Sequence, residues 1–362
     1  MTLRERLAGR HFSRQRALSA MASLALLVGL ILCGLLEPVT YRPPASPGAS
    51  DIALYNSIVS DMRGGTPYYE AALSEARKHN YPLRPFVTVR LPTLAWLLSA
   101  VPNDAFARIL LATLTAFTLG AWAWRLGTAQ LSTPRFALAL ICIASGLSPA
   151  LIPAAAAMHE VWAGLLIAMS LAIRRADGWI ASVLLGLAAA LIRELAGAYL
   201  LAMAVMALSE RHYREAAAWM GAIAILALAL AIHAATLSTL VTAADLASPG
   251  WLQFGGWSFV LQTAQWNVVL AAAPQWLTAL AVPLALFGLT ATPLDRRLLL
   301  IVGGYIAAFI IVGRDDNFYW GLLIAPLWPL GLASAGPALI ARISESVSLL
   351  RGAIPSPLRS PR

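Results

Sequence analysis

The sequence predicts an all-α, polytopic transmembrane bundle of about ten spans, with an ordered helical first outer loop. Three observations carry this. Apolar residues make up 59% of the 362-residue chain and charged residues only 12%, against about 45–50% and 25% in soluble domains. That balance excludes disorder, a disulfide scaffold and an ordinary soluble enzyme. The apolar residues also fall in runs close to the roughly 20 that cross a bilayer. Finally, the basic residues sit at the ends of those runs, as topology signals do. The net charge of +9 is therefore assigned to a lipid bilayer and not to nucleic acid.

Arg4, Arg6, Arg10, Arg14 and Arg16 precede an apolar run from Ala17 to Leu36. The run is long for a signal peptide and no A-x-A site follows it, so it reads as a retained first span with a cytoplasmic N-terminus. Further spans are predicted over 104–124, 136–152, 159–173, 179–192, 195–208, 216–240, 267–290, 297–313 and 318–341. The run around Arg193 is split for a physical reason. One continuous helix would place Arg193 and Glu194 near mid-bilayer, at about 3 kcal/mol or more each. On the split path Arg174-Arg175 and Arg296-Arg297 lie inside with both termini, and most acidic residues face outward. The chain reads as one transmembrane domain, 1–341, followed by a disordered cytoplasmic tail, 342–362, rich in Ser, Pro and Arg. Cys33 and Cys142 lie inside apolar runs without a C-x-x-C pair and read as free buried thiols.

The first outer loop, 37–103, has helical signals. Ser50 is a candidate cap for a helix starting at Asp51, and Ile52, Tyr55, Val59 and Met62 share one face of it. Gly64-Gly65 ends that helix. Thr66-Pro67 opens another, with Pro at its first position. The apolar piece 91–101 is too short to span and reads as an interfacial or half-inserted helix.

Candidate site residues cluster at outward-facing span ends. Asp51 stands at a helix N-terminus, where the dipole favours its ionised form; its plainer reading is a first-turn acid. Arg193-Glu194 joins two short helices at membrane depth, a functional signal by default, with Arg193 as a phosphate contact or, alternatively, part of a structural ion pair. Arg314-Asp315-Asp316 follows another span. Arg314 suits phosphate, and the two acids suit sugar hydroxyls or a divalent cation, unless the segment is a solvated loop. His159-Glu160 opens a span, but Ala163 replaces the second His of H-E-x-x-H, leaving a cavity-facing polar pair or an interfacial helix start. Arg90 and Arg108 flank the short outer helix as phosphate contacts or as side chains snorkelling to headgroups. Tyr55, one turn beyond Asp51, joins the substrate-binding set. His233, inside a span, reads as a satisfied buried histidine. Trp251, Phe254, Trp257, Phe259 and Trp266 would stack on a sugar, line a lipid groove or form an aromatic belt. No P-loop or G-x-G-x-x-G turn marks a nucleotide site.

One order of motifs suggests a family. After a basic tail and a single span come Asp51-Ile-Ala-Leu-Tyr55, Gly64-Gly65-Thr66-Pro67-Tyr68-Tyr69, Tyr81-Pro82-Leu83-Arg84-Pro85, Arg90-Leu91-Pro92 and Asp104-Ala-Phe-Ala-Arg108. This resembles the GT-C superfamily of polytopic membrane glycosyltransferases, nearest to the bacterial mannosyltransferase-like enzymes, over about residues 37–110. The chain departs from the pattern in two places. It lacks a second acid beside Asp51, the next being Asp61, and it has Leu83-Arg84-Pro85 where a Lys-Pro-Pro pattern is common. The resemblance implies a bacterial inner-membrane enzyme whose site faces the periplasm. It implies a polyprenyl-phosphate-linked sugar as donor, a glycan or lipid as acceptor, inverting transfer, and Asp51 as the catalytic base. The alternatives are a transporter or flippase of a lipid-linked sugar, or a non-catalytic membrane subunit. Charges gathered at outer span ends, without related halves, favour the enzyme.

Overall fold

The computed structural model describes residues 3–37, 51–250 and 252–353, and all regular elements among them are helical. α1 is Leu3–Leu36. The first loop then folds into α2 (Asp51–Arg63), α3 (Tyr68–Lys78) and α4 (Thr93–Ala100). Ser50, the expected cap of α2, lies outside the described residues. α2 stops where the sequence says it should, because Gly65 turns the chain at φ +99°, a value only glycine adopts cheaply. α3 begins at Tyr68, with Pro67 as its extended cap, one residue later than expected.

α5 (Asp104–Thr128) is capped by the Asn103 side chain, which accepts from the amides of Ala105 and Phe106. There follow α6 (Thr133–Leu147), α7 (His159–Ile173), α8 (Ile180–Ile192), α9 (Gly197–Ser209) and α10 (Tyr213–Leu240). Among the described residues, four stretches are helical, long and apolar enough to cross a membrane: Gln15–Leu36, Asp104–Thr128, Thr133–Leu151 and Tyr213–Leu240. α7, α8 and α9 are apolar but shorter, 13–15 residues each. At 1.5 Å per residue they extend about 20–23 Å, less than the roughly 30 Å hydrocarbon core.

The split at Arg193 is a true reversal. Arg193 leaves helical geometry at φ −139°, and one 3-10 turn, Glu194–Ala196, leads into α9. Residues beyond the two far ends then meet. Arg174, after α7, pairs with Glu215 at 2.6 Å and stands 3.7 Å from Glu210, after α9. Arg125 reaches Asp295 at 2.8 Å, and Arg297 grips Glu210 at 2.5 Å. The sequence offered these arginines as topology signals. They are also bound to acids that reach the same end of the bundle from other helices.

Two expected spans are broken. The run 267–290 divides into α12 (Val268–Ala271) and α13 (Gln275–Leu289), behind α11 (Gly256–Ala264). Pro274 separates them, since proline lacks the amide and fixes φ. After α14 (Arg296–Ile311), the run 318–341 starts in 3-10 turns over Asp315–Leu323 and Trp328–Gly331 and bends by 60°. α15 (Leu332–Ala353) begins only there and continues past 341, so the expected break to a tail at Arg342 is helical as far as Ala353. The irregular segment is buried from Leu322 to Leu330, the condition that irregular backbone would have to meet inside a bilayer. Glycines from neighbouring helices make room for it. A Cβ on Gly164 of α7 would collide with the Leu322 carbonyl, and one on Gly288 of α13 with that of Gly331.

Candidate functional site

At the other end of the bundle, five widely separated segments enclose a cavity of about 1450 Å³. Asp51 comes from the first turn of α2 and Arg90 from the loop before α4. Glu160 comes from the first turn of α7. Arg193-Glu194 comes from the α8–α9 turn, and Arg314 and Asp316 from the segment after α14. Tyr55, Tyr81, Tyr319 and Trp320 also line it, and Phe259, Ala308, Phe309 and Val312 give it an apolar arm. The sequence nominated most of the charged residues. The structure brings Asp51, Tyr55, Arg90, Glu160, Arg193, Glu194, Arg314 and Asp316 to this one space.

Their roles differ from the sequence expectation. Arg193 is 2% exposed. Its Nε donates to Glu160 at 2.5 Å, and its Nη1 is closely paired with Glu194. Arg90 donates to Glu194 at 3.3 Å and, through Nε, to the Tyr55 hydroxyl at 3.2 Å. The result is a closed set of two guanidiniums and two carboxylates stapling α7 and the α8–α9 turn to the first loop. These pairs match the structural ion pair that was the alternative reading of Arg193. Arg90 does not snorkel; it turns inward. Arg108 does not join the site, because it is exposed on α5 away from the cavity. His159 is buried, but it sits edge-on to the Tyr55 ring at 4.6 Å and lines a small crevice behind it. Its Nδ1 has no hydrogen-bond partner. The side chain of Asp315 lies outside what the structure describes.

Asp51 is the carboxylate whose surroundings suit proton transfer. Burial raises its pKa above the usual aspartate value; Arg90 opposes this, Glu160 and Asp316 reinforce it, and a hydrogen bond from the Tyr81 hydroxyl opposes it. Burial also pushes the Tyr55 phenol up to about 12. Tyr81 was legible only as part of a motif and not as a site residue, because scanning for ionised groups overlooks a tyrosine that orients one. Arg314 forks onto Asp316, Nε to Oδ1 at 2.5 Å and Nη2 to Oδ2 at 2.7 Å, and this pair is partly open to solvent.

Other polar groups are accounted for structurally. His233 bonds the Tyr69 hydroxyl at 3.0 Å and the Val89 carbonyl at 2.9 Å, so it is the satisfied buried histidine the sequence suggested. Asp104 pairs with Arg63 and Asp245 with Arg77; the Arg77 pair holds the Asp245 carboxyl well below the usual range. These acids belong to the first loop's docking and not to the cavity. Of the aromatic set, Phe259 and Trp266 line the cavity and Trp266 stacks on Phe318. The Trp257 indole donates to the Leu30 carbonyl, Phe254 is exposed, and Trp251 lies outside the described residues. Cys142 is buried as expected, whereas Cys33 is exposed on α1. Among the described residues no group of three or more His, Cys, Asp or Glu side chains is placed to hold a metal ion. No family model, curated protein or solved structure matches the chain.

Proposed function

We propose that the chain is an integral membrane glycosyltransferase, transferring a sugar from a polyprenyl-phosphate donor to a glycan or lipid acceptor with inversion. The observation that carries this is the convergence of Asp51 and the charged span ends on one large cavity with polar and apolar walls. Such transfer needs a base for the acceptor hydroxyl, a cation for the departing phosphate and a greasy arm for the lipid. Asp51 takes the proton as the acceptor oxygen attacks the anomeric carbon. The bond from that carbon to the phosphate oxygen breaks, and the lipid phosphate leaves toward a guanidinium. A base with a raised pKa is a better proton acceptor than a free aspartate. The Arg90–Glu194–Arg193–Glu160 set holds the first loop, and with it Asp51, over the cavity.

The proposal includes the topology. The chain passes about ten times through a bacterial inner membrane, N- and C-termini cytoplasmic, and the cavity opens to the periplasm. The two gatherings of span ends, one holding the cavity and one holding Arg125, Arg174 and Arg297, support that alternation. Irregular stretches such as 315–331 complete passes that helices alone do not make. The test is incubation of the purified protein with labelled polyprenyl-phosphate sugars and a membrane extract. A labelled acceptor supports an enzyme. Accumulation of unchanged lipid-linked sugar across sealed vesicles supports a flippase instead.

A further inference from the structure

From the charge inventory of the cavity we infer that Asp316 occupies the position of the ligand's phosphate, and that binding exchanges the Asp316 carboxylate for phosphate on Arg314. This rests on the glycosyl-transfer reading and names the step by which its donor is admitted.

Among the described residues the cavity wall carries three guanidiniums, Arg90, Arg193 and Arg314, and five carboxylates, including Asp51, Glu160 and Asp316. Each guanidinium already holds a carboxylate. Among the described residues, an anion entering this space therefore meets only guanidiniums that are already paired, and it competes with the carboxylate of whichever one it approaches. The three pairs are not equally exchangeable. Arg193 and Glu160 are sealed, and removing one partner strands a buried charge. Arg90 holds Glu194, which also holds Arg193, so displacing it disturbs the same sealed set. Asp316 is different: its side chain is 63% exposed, against 20% for Arg314. It swings into water at little cost, since exposed pairs are weak.

The geometry of the vacated site fits the newcomer. Asp316 bonds Arg314 through the Nε and Nη2 edge, the fork that also receives phosphate oxygens two at a time. The third nitrogen, Nη1, points at the Ser248 hydroxyl at 3.5 Å, and Ser248 is anchored by its amide to the Arg84 carbonyl at 2.7 Å. Arg314 therefore keeps one fixed contact while its fork changes partner. Asp316 also lies close enough to Asp51 to act on it electrostatically, so the exchange takes place beside the base.

The test is binding, not turnover, on the detergent-solubilised full chain, followed by calorimetry. The probes are a short polyprenyl phosphate, the uncharged polyprenol of the same length, and inorganic phosphate. Asp316→Asn is expected to bind the polyprenyl phosphate about fivefold tighter than wild type, the equivalent of about 1 kcal/mol, with polyprenol binding unchanged. Arg314→Gln is expected to lose the preference for phosphate over alcohol. A matching gain for inorganic phosphate assigns the fork to phosphate from any source; a gain confined to the lipid assigns it to the lipid headgroup. Unchanged or weaker phosphate binding by Asp316→Asn overturns the exchange, as does a phosphate preference that survives in Arg314→Gln. The outcome is independent of catalysis. A chain that shows the exchange but transfers no sugar keeps this inference and loses the enzyme, and the reverse pattern separates them equally.

Discussion

Replacing Arg193 with glutamine tests whether the clasp beneath the cavity is structural. The side chain is 2% exposed, between Glu160, 4% exposed at the side chain, and Glu194. Removing one partner of a buried pair typically costs about 3–5 kcal/mol, because the remaining charge is left without compensation. Here Glu160 is left without its guanidinium, whereas Glu194 keeps Arg90, so the range applies to one stranded carboxylate. Unfolding entropy of about 2.1 cal/mol/K per residue gives about 0.8 kcal/mol/K for a chain of 362 residues. The midpoint should therefore fall by about 4–7 °C in a fluorescence-monitored melt. The double variant Glu160→Gln/Arg193→Gln should recover part of that loss, because it removes the stranded charge with its partner. If Arg193→Gln melts with wild type while phosphate-lipid binding collapses, Arg193 is a free anion contact and the clasp is wrong.

Three further outcomes follow from the same geometry. Tyr81→Phe removes a hydrogen bond that favours the ionised form of Asp51. The base then protonates at a higher pH, and the acid limb of a transfer-rate profile should move upward in pH; a shift downward, or none, would contradict the contact. Asp104→Asn and Arg108→Ala should leave transfer within twofold of wild type, since the first breaks an exposed pair worth about 0–1 kcal/mol and the second lies outside the cavity. Gly164→Ala should reduce the yield of folded protein and cost about 1–3 kcal/mol through overpacking against the Leu322 carbonyl; a neutral result would mean that the segment 315–331 packs elsewhere.

Much of the site was legible because charge is costly in an apolar chain. Arg193-Glu194 announced a break between two helices by the expense of burying it, and the break is there. Gly64-Gly65 announced the end of α2 for conformational reasons. Other features required the third dimension. The partners of Arg125, Arg174 and Arg297 lie on other helices, so a one-dimensional reading saw only topology signals. The bent pair Asp316–Leu323 and Trp328–Val347 is together apolar enough for a span, so hydropathy does not distinguish the 3-10 turns at its start. Its signal was in the small residues of other elements, Gly146, Gly164 and Gly288, which is visible only once their neighbours are known. The partners of Arg90 and Arg193 were illegible for a similar reason: sequence gives the depth of a charge but not which carboxylate reaches it first.

The most direct measurement is the initial rate of sugar transfer by Asp51→Asn, with labelled donor and membrane extract, beside a melt of the same preparation. Asparagine keeps the shape of the side chain and cannot accept the acceptor's proton. The expected result is a fall in rate of at least about 100-fold, at an unchanged melting temperature and with unchanged polyprenyl-phosphate binding. Transfer at the wild-type rate by the folded variant would contradict the assignment of Asp51 as the base.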